Sequence, residues 1–242
     1  MQSTPKKIAL VTGANKGIGF EVAHQLAASG CAVLLGARNP VLGEQATAKL
    51  KSQDVRYLAI DLEDYATIAT AAKVIDADFG HLDILVNNAG VAVPGDGLPS
   101  TSSLDAIERT FRVNFLGSVA VAQAMLPLLR KAPSARIVNV SSGLGSLTKS
   151  SDPAWTHVAA KYLGYAASKA ALNMLTVQLA YELRDTSIKV HSVDPGYTAT
   201  DLNQHRGTQT IPEGAAEIIR LALLPDDGPT GTFSNAQGIV PW

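Results

Sequence analysis

Short apolar runs alternate with helical patterns along almost the whole chain, and this rhythm constrains the fold more than any other feature. Ile8–Thr12, Ala32–Gly36, Val55–Ile60, Ile84–Val86, Arg136–Ser141 and Ile188–Val193 read as strands. The first helical pattern between them puts Ile18, Val22 and Leu26 on one face and ends at Gly30. The others are Val41–Leu50, Asp64–Phe79, Leu104–Lys131 and Leu163–Arg184. Strands that are apolar throughout belong to a parallel sheet covered on both faces. The expected fold class is α/β: one doubly wound parallel sheet with helices on both faces, a single domain over residues 1–242. No internal repeat, charge block or low-complexity segment divides it.

Composition narrows the function classes. Of 242 residues, 46% are apolar and 17% charged, enough for a sizeable core. The net charge of −1, with no Lys/Arg-rich run, argues against nucleic-acid binding. The most apolar stretch, Val119–Leu129, is broken by Gln123 and Pro127 and is too short to span a membrane. Lys6 and Lys7 precede only Ile8–Val11 before Gly13, the pattern of a buried strand rather than a signal peptide. The lone Cys31 excludes an intrachain disulfide and fits a packed thiol in a reducing, cytoplasmic setting. The five histidines show no metal-ligand spacing, so no metal is expected. His157 has the best claim among them to a pocket role. Asp194 fits a loop hydrogen bond, and Asp226-Asp227 a solvated turn.

The first turn reads Thr12-Gly13-Ala14-Asn15-Lys16-Gly17-Ile18-Gly19. Its glycines let backbone N–H groups approach a pyrophosphate, and the helix that follows adds partial positive charge. The turn joins the first strand to an amphipathic helix, the context of a dinucleotide-binding (Rossmann) domain, although three residues separate its first two glycines. The second strand ends in Gly36-Ala37-Arg38-Asn39, without the acid that would bond a ribose 2′-hydroxyl. Arg38 and Lys16 are therefore expected to meet a 2′-phosphate, which points to NADP(H). Charge-assisted bonds of this kind contribute roughly 1.5–3 kcal/mol each.

Tyr165 and Lys169 lie four apart on a predicted helix and share a face. A phenol with a pKa near 10 needs a nearby cation to act at neutral pH. Further motifs occur in one order: TGANKGIG at 12–19, NNAG at 87–90, Asn114, a strand ending Asn139-Val140-Ser141-Ser142, YAASK at 165–169 and Pro195-Gly196. From residue 7 to about 203 this set resembles the short-chain dehydrogenase/reductase superfamily. The NKGIG turn, Arg38 and PGYTATDL at 195–202 look most like its carbonyl-reductase-type members.

The resemblance implies an NADPH-dependent carbonyl reductase or alcohol dehydrogenase acting on a small-molecule ketone, aldehyde or alcohol. Tyr165 would be the acid in reduction and the base in oxidation. Ser142 would hold the substrate oxygen, with Ser141 as its rival because neighbouring strand residues face opposite ways. Lys169 would bind the nicotinamide ribose and lower the phenol's pKa. Asn114 would hold a water in a proton relay. Gly13, Asn15, Lys16, Gly17, Ile18 and Gly19 would line the pyrophosphate and adenosine end, Asp61 and Leu62 the adenine, and Asn88, Ala89 and Gly90 the adenosine ribose. Asn88 also suits a structural tie between strands. Pro195, Gly196, Thr198 and Thr200 would flank the nicotinamide and the phosphates.

Two segments interrupt the rhythm, 144–162 and 195–210. Both follow strands, so both are expected to wall the substrate site, with Leu144, Leu147, Trp155 and Tyr197 forming an apolar pocket for an aryl or alkyl ketone. The separation of Ser142 from Tyr165 exceeds that of most of the superfamily. A homo-oligomer is expected, with a monomer as the alternative. Gly231–Trp242 matches the family poorly, and Trp242 would pack on a neighbouring subunit or lie free. Two other readings stay open: a sugar-nucleotide epimerase or dehydratase, and an NADP-sensing module without turnover.

Overall fold

The computed structural model describes residues 6–50 and 54–242. Residues 1–5 and 51–53, which the expected single unit includes, lie outside the described residues. The chain runs β1 (Ile8–Val11), α1 (Gly17–Ala28), β2 (Ala32–Ala37), α2 (Pro40–Lys49), β3 (Val55–Ala59), α3 (Tyr65–Phe79), β4 (Ile84–Asn87) and α4 (Leu104–Phe111). It continues with α5 (Ser118–Leu129), β5 (Arg136–Val140), α6 (Leu147–Ser151), α7 (Leu163–Glu182), β6 (Lys189–Val193), α8 (Ile211–Ala222), β7 (Thr232–Asn235) and β8 (Gly238–Ile239).

The sheet order is β3-β2-β1-β4-β5-β6-β7-β8, parallel except for the antiparallel β7–β8 pair. This is the doubly wound sheet expected from the sequence. Successive residues of β1 feed opposite faces: Ile8 and Leu10 pack with α3, α5 and α7, whereas Ala9 and Val11 pack with α1 and α8. The order reverses between β1 and β4, and there the crevice opens beyond the strands' C-terminal ends. β3 departs from the apolar pattern because it is an edge strand with only Leu58 buried.

The expected helix over 104–131 is α4 and α5 joined by a π-turn at Arg112–Gly117. By length and composition this run, Leu104–Leu129, with mean hydropathy 1.3, suffices to cross a bilayer. The shorter stretch Val119–Leu129 does not suggest that. In this fold Val121, Met125 and Leu129 are buried against α3 and β4.

Three features depart from the sequence reading. α8 and the β7–β8 hairpin were not anticipated, although Thr210 and Glu213 form a capping box ahead of Ala215, Ile218 and Leu221. Trp242 neither lies free nor needs a neighbouring subunit: it stacks on Phe233 at 5.6 Å, and its carbonyl accepts from Thr148 N and Oγ1. Asp226 is more than a solvated turn, because it accepts at 2.8 Å from the guanidinium of Arg136, which is 1% exposed.

Candidate active site

The nucleotide side is built from backbone. Gly13 has φ +63°, and a Cβ there would stand 2.8 Å from Ala89 Cα. At Gly19 a Cβ would meet Asn88 Nδ2 at 2.3 Å. Only glycine lets the β1–α1 turn lie this close to the end of β4. Asn88 is itself a tie: Nδ2 donates to Thr12 O at 2.9 Å and Gly13 O at 3.2 Å. α1 starts behind Lys16 with no side-chain cap, which leaves first-turn N–H groups facing an anion site.

These residues line a cleft of about 520 Å³. Gly13, Asn15, Lys16, Gly17, Ile18, Gly19, Arg38, Asp61, Leu62, Asn88, Ala89, Gly90, Tyr165, Lys169, Pro195 and Thr200 all border it, as the sequence reading expects. Its size, its glycine-lined turn and its two cations fit a dinucleotide carrying an extra phosphate. Both cations are paired. Lys16 Nζ lies 2.6 Å from Asp201 Oδ2, and Arg38 lies 3.6 Å from Glu63.

Gly196 and Thr198 are not brought to this cleft. Thr198 is buried, its hydroxyl donating to Pro195 O at 3.0 Å, and it fills the space beside Gly214. Gly196 donates through its N–H to Asp194 Oδ1 at 3.0 Å, the loop bond expected of Asp194. The sequence reading missed Glu63, Asp201 and His205, which also line the cleft. The position of Asp201 and His205 within 195–210 was the available signal.

At the far end of the cleft Tyr165 and Lys169 project from α7. Lys169 is 3% exposed; Nζ donates to Val140 O at 2.8 Å and stands 5.7 Å from the Tyr165 ring centroid. Burial lowers the Lys169 pKa to about 8. Burial also pushes the Tyr165 phenol up to about 12; a hydrogen bond with Ser142 opposes the rise and the charge of Asp194 adds to it. The expected lowering of the phenol by Lys169 is not among the causes of its shift; desolvation dominates it.

The two serines differ: a side-chain hydrogen bond with Ser142 lowers the Tyr165 pKa, whereas Ser141 lines the cleft and its hydroxyl donates to Lys169 O at 3.3 Å. Asn114, on the π-turn, is fully buried and clamps the exit of β4: Oδ1 accepts from Val91 N at 2.8 Å and Nδ2 donates to Val91 O and Ser168 Oγ, each at 3.0 Å. Both amide donors are therefore engaged within the protein. A Cβ on Gly90 would lie 3.4 Å from both Asn114 Oδ1 and Lys169 Nζ, so these two groups face one spot.

The two irregular segments meet through side chains. Trp155 packs edge-on against His157 at 5.6 Å, and His157 lies 5.8 Å from Tyr197, linking the two irregular segments. A Cβ on Gly143 would come 3.2 Å from the Trp155 ring, which places that ring against the residue that follows Ser142. Leu147 is 73% exposed and leaves the expected pocket wall. Ser146 Oγ donates to Pro241 O at 2.7 Å, so the C-terminal segment braces this wall.

The short chain dehydrogenase profile matches residues 7–210. Salutaridine reductase of Papaver bracteatum is 33% identical, over 97% of this chain and 96% of its own. That alignment runs over 303 positions, so the poppy protein carries segments that this 242-residue chain lacks. Among solved structures, salutaridine reductase from Papaver somniferum superposes with a TM-score of 0.82 at 32% identity, covering 94% of this chain and 99% of that one. NADPH-bound carbonyl reductase from chicken fatty liver reaches 0.84 at 29% identity, covering 99% and 100%. With the profile spanning most of its length and such relatives matched nearly end to end, the chain belongs to the short-chain dehydrogenase family.

Proposed function

We propose that this enzyme reduces a ketone or aldehyde with NADPH, and oxidises the alcohol in reverse, with Tyr165 as the proton-transferring group. One observation carries the reading: Tyr165 and the buried Lys169 open onto the same cleft as the glycine turn. NADPH, when bound, supplies a hydride from C4 of its nicotinamide ring. The hydroxyls of Ser142 and Tyr165 hold the carbonyl oxygen between them. As that oxygen gains negative charge, Tyr165 gives it a proton and becomes a phenolate. A phenol held at about 12 keeps its proton at neutral pH, as a donor must.

Lys169, protonated at neutral pH with its pKa near 8, stabilises the phenolate once it forms. Lys169 and Asn114 Oδ1 share one spot beside Gly90, which suits a relay that returns a proton to Tyr165. Lys16 and Arg38 exchange Asp201 and Glu63 for the 2′-phosphate. Backbone groups of Asn88, Ala89, Gly90, Pro195 and Thr200 complete the cofactor wall.

Segments 144–162 and 195–210 form the substrate wall, and Leu144, Trp155 and Tyr197 favour an aryl or alkyl ketone. The enzyme works as a homo-oligomer in the cytoplasm. Exposed Leu116, Met174, Val177 and Tyr181 on the π-turn and α7 support association, and the single buried Cys31 suits a reducing compartment. The named relatives are reductases, which leaves the epimerase and sensor readings without a supporting observation.

Replacing Tyr165 with Phe lowers kcat by roughly 10²–10⁴ while NADPH affinity stays within about threefold. An NADPH-oxidation assay over a ketone panel, with fluorescence titration of NADPH, checks both. Wild-type turnover in Tyr165→Phe would falsify the proton-donor role.

A further inference from the structure

A helix begins with N–H groups that have no partner within it. α7 has Tyr162 at its N-cap, and that residue supplies no side-chain cap. Its first three N–H groups are instead satisfied from a loop more than sixty residues upstream. Leu163 N donates to Gly97 O at 3.0 Å. Gly164 N donates to Asp96 Oδ1 and Tyr165 N to Asp96 Oδ2, each at 2.8 Å. One carboxylate thus grips two successive peptides, and the second is that of Tyr165 itself.

The gripping group is held in turn. Ser102 Oγ donates to Asp96 Oδ1 at 3.2 Å and accepts from Gly97 N at 2.8 Å. Ser103 N donates to Gly95 O at 3.0 Å. α7 also starts hard against α4: a Cβ on Gly164 would stand 3.1 Å from Ile107 Cα and 3.3 Å from Asp96 Oδ2. Lys169, one turn along α7, is fixed by its own bond to Val140 O. The start of the helix, where the phenol sits, depends on Asp96. Hydrogen bonds to an ionised acceptor are short and strong, and negative charge at a helix N-terminus is favourable.

We propose that Asp96 is a positioning residue for proton transfer: by gripping the N–H groups of Gly164 and Tyr165 it fixes the phenol against Ser142 and Lys169. The inference rests on the reading of Tyr165 as the proton donor. A misplacement of about 1 Å in a reacting group costs on the order of 10²-fold in rate.

Asp96→Ala, Asp96→Asn and Tyr165→Phe, made in the full chain and assayed side by side, test it. Asp96→Ala is expected to lower kcat about ten- to a hundredfold, with NADPH Kd within about threefold. Asp96→Asn keeps one acceptor oxygen and recovers part of that loss. Both loosen the phenol from Ser142, whose hydrogen bond lowers its pKa, so the alkaline limb of the kcat profile for reduction moves to higher pH. If Asp96→Ala does not fold, Asp96→Asn carries the test. Ile75→Ala, on the buried face of α3, serves as a destabilised control away from the site.

Wild-type kcat and an unmoved pH profile in the Asp96 variants, with Tyr165→Phe inactive, would overturn the positioning role and leave Tyr165 in place. An Ile75→Ala variant of matched Tm losing as much kcat would reduce the effect to stability and overturn it as well. An active Tyr165→Phe would remove the premise instead.

Discussion

The nucleotide cleft and the irregular segments beside it are made differently. On the nucleotide side the surface is backbone, held by packed strands and by glycines that admit no side chain: Gly13 against Ala89 and Gly19 against Asn88. In segments 144–162 and 195–210, the proposed substrate wall, it is aromatic side chains, Trp155, His157 and Tyr197, with Ser146 bonded to Pro241 beyond β8. A backbone surface recognises what every substrate turnover shares, the cofactor. A side-chain surface can change without disturbing the sheet, which suits the proposed role of choosing the ketone.

That contrast can be broken first at Lys169, at the Tyr165 end of the cleft. Lys169→Met is expected to lower turnover by about 10² or more. It is also expected to make the cofactor-free protein more stable at pH 7, by about 1–2 kcal/mol, since each pKa unit is worth about 1.4 kcal/mol and the lost bond to Val140 offsets part of the gain. The sign follows from the folded pKa of about 8 lying below the ordinary 10.5. Between those values the unfolded chain holds a proton that the folded chain has shed, so wild-type stability rises with pH across that window. Lys169→Met lacks the rise. Thermal melts of both proteins from pH 7 to pH 10 decide it, and a destabilised Lys169→Met at pH 7 refutes it.

Next comes Gly19→Ala. Its methyl would lie 2.3 Å from Asn88 Nδ2 and 2.7 Å from Gly13 O, forcing the turn away from β4. NADPH Kd is expected to rise about tenfold to a hundredfold, with a stability loss of about 1–3 kcal/mol. Unchanged NADPH titration would mean that the nucleotide wall is not rigid.

The smallest effect is expected on the other wall. Trp155→Ala should change the ratio of kcat/KM values between aryl and small alkyl ketones about tenfold, the worth of a lost apolar contact, while NADPH Kd holds. Equal losses for every ketone, or a weakened cofactor, would erase the distinction between the walls.

The same contrast explains what was legible in the sequence. The sheet, the glycine turn and the Tyr165–Lys169 pair rest on local periodicity and spacing, and each stands where those signals put it. Thr198 carries no local sign that its hydroxyl turns inward to Pro195, and Asn114 none that its amide clamps Val91. Trp242 finds Phe233 only because β7 joins the sheet beside β6. Asp96 and Tyr165 lie 69 residues apart, and no spacing rule connects them. α8 was different: its capping box was readable at Thr210 and Glu213.

The π-turn at Arg112–Gly117 lets one long helix serve two masters. Each residue of an α-helix turns the chain about 100°, so removing one residue here would swing everything downstream by that angle. If Asn114 kept its grip on Val91, then Met125 and Leu129 would rotate out of the interior; if they stayed, Asn114 would lose its partner. The extra residue acts as a gear, letting the Asn114 clamp on Val91 and the buried face of α5 each keep its own orientation.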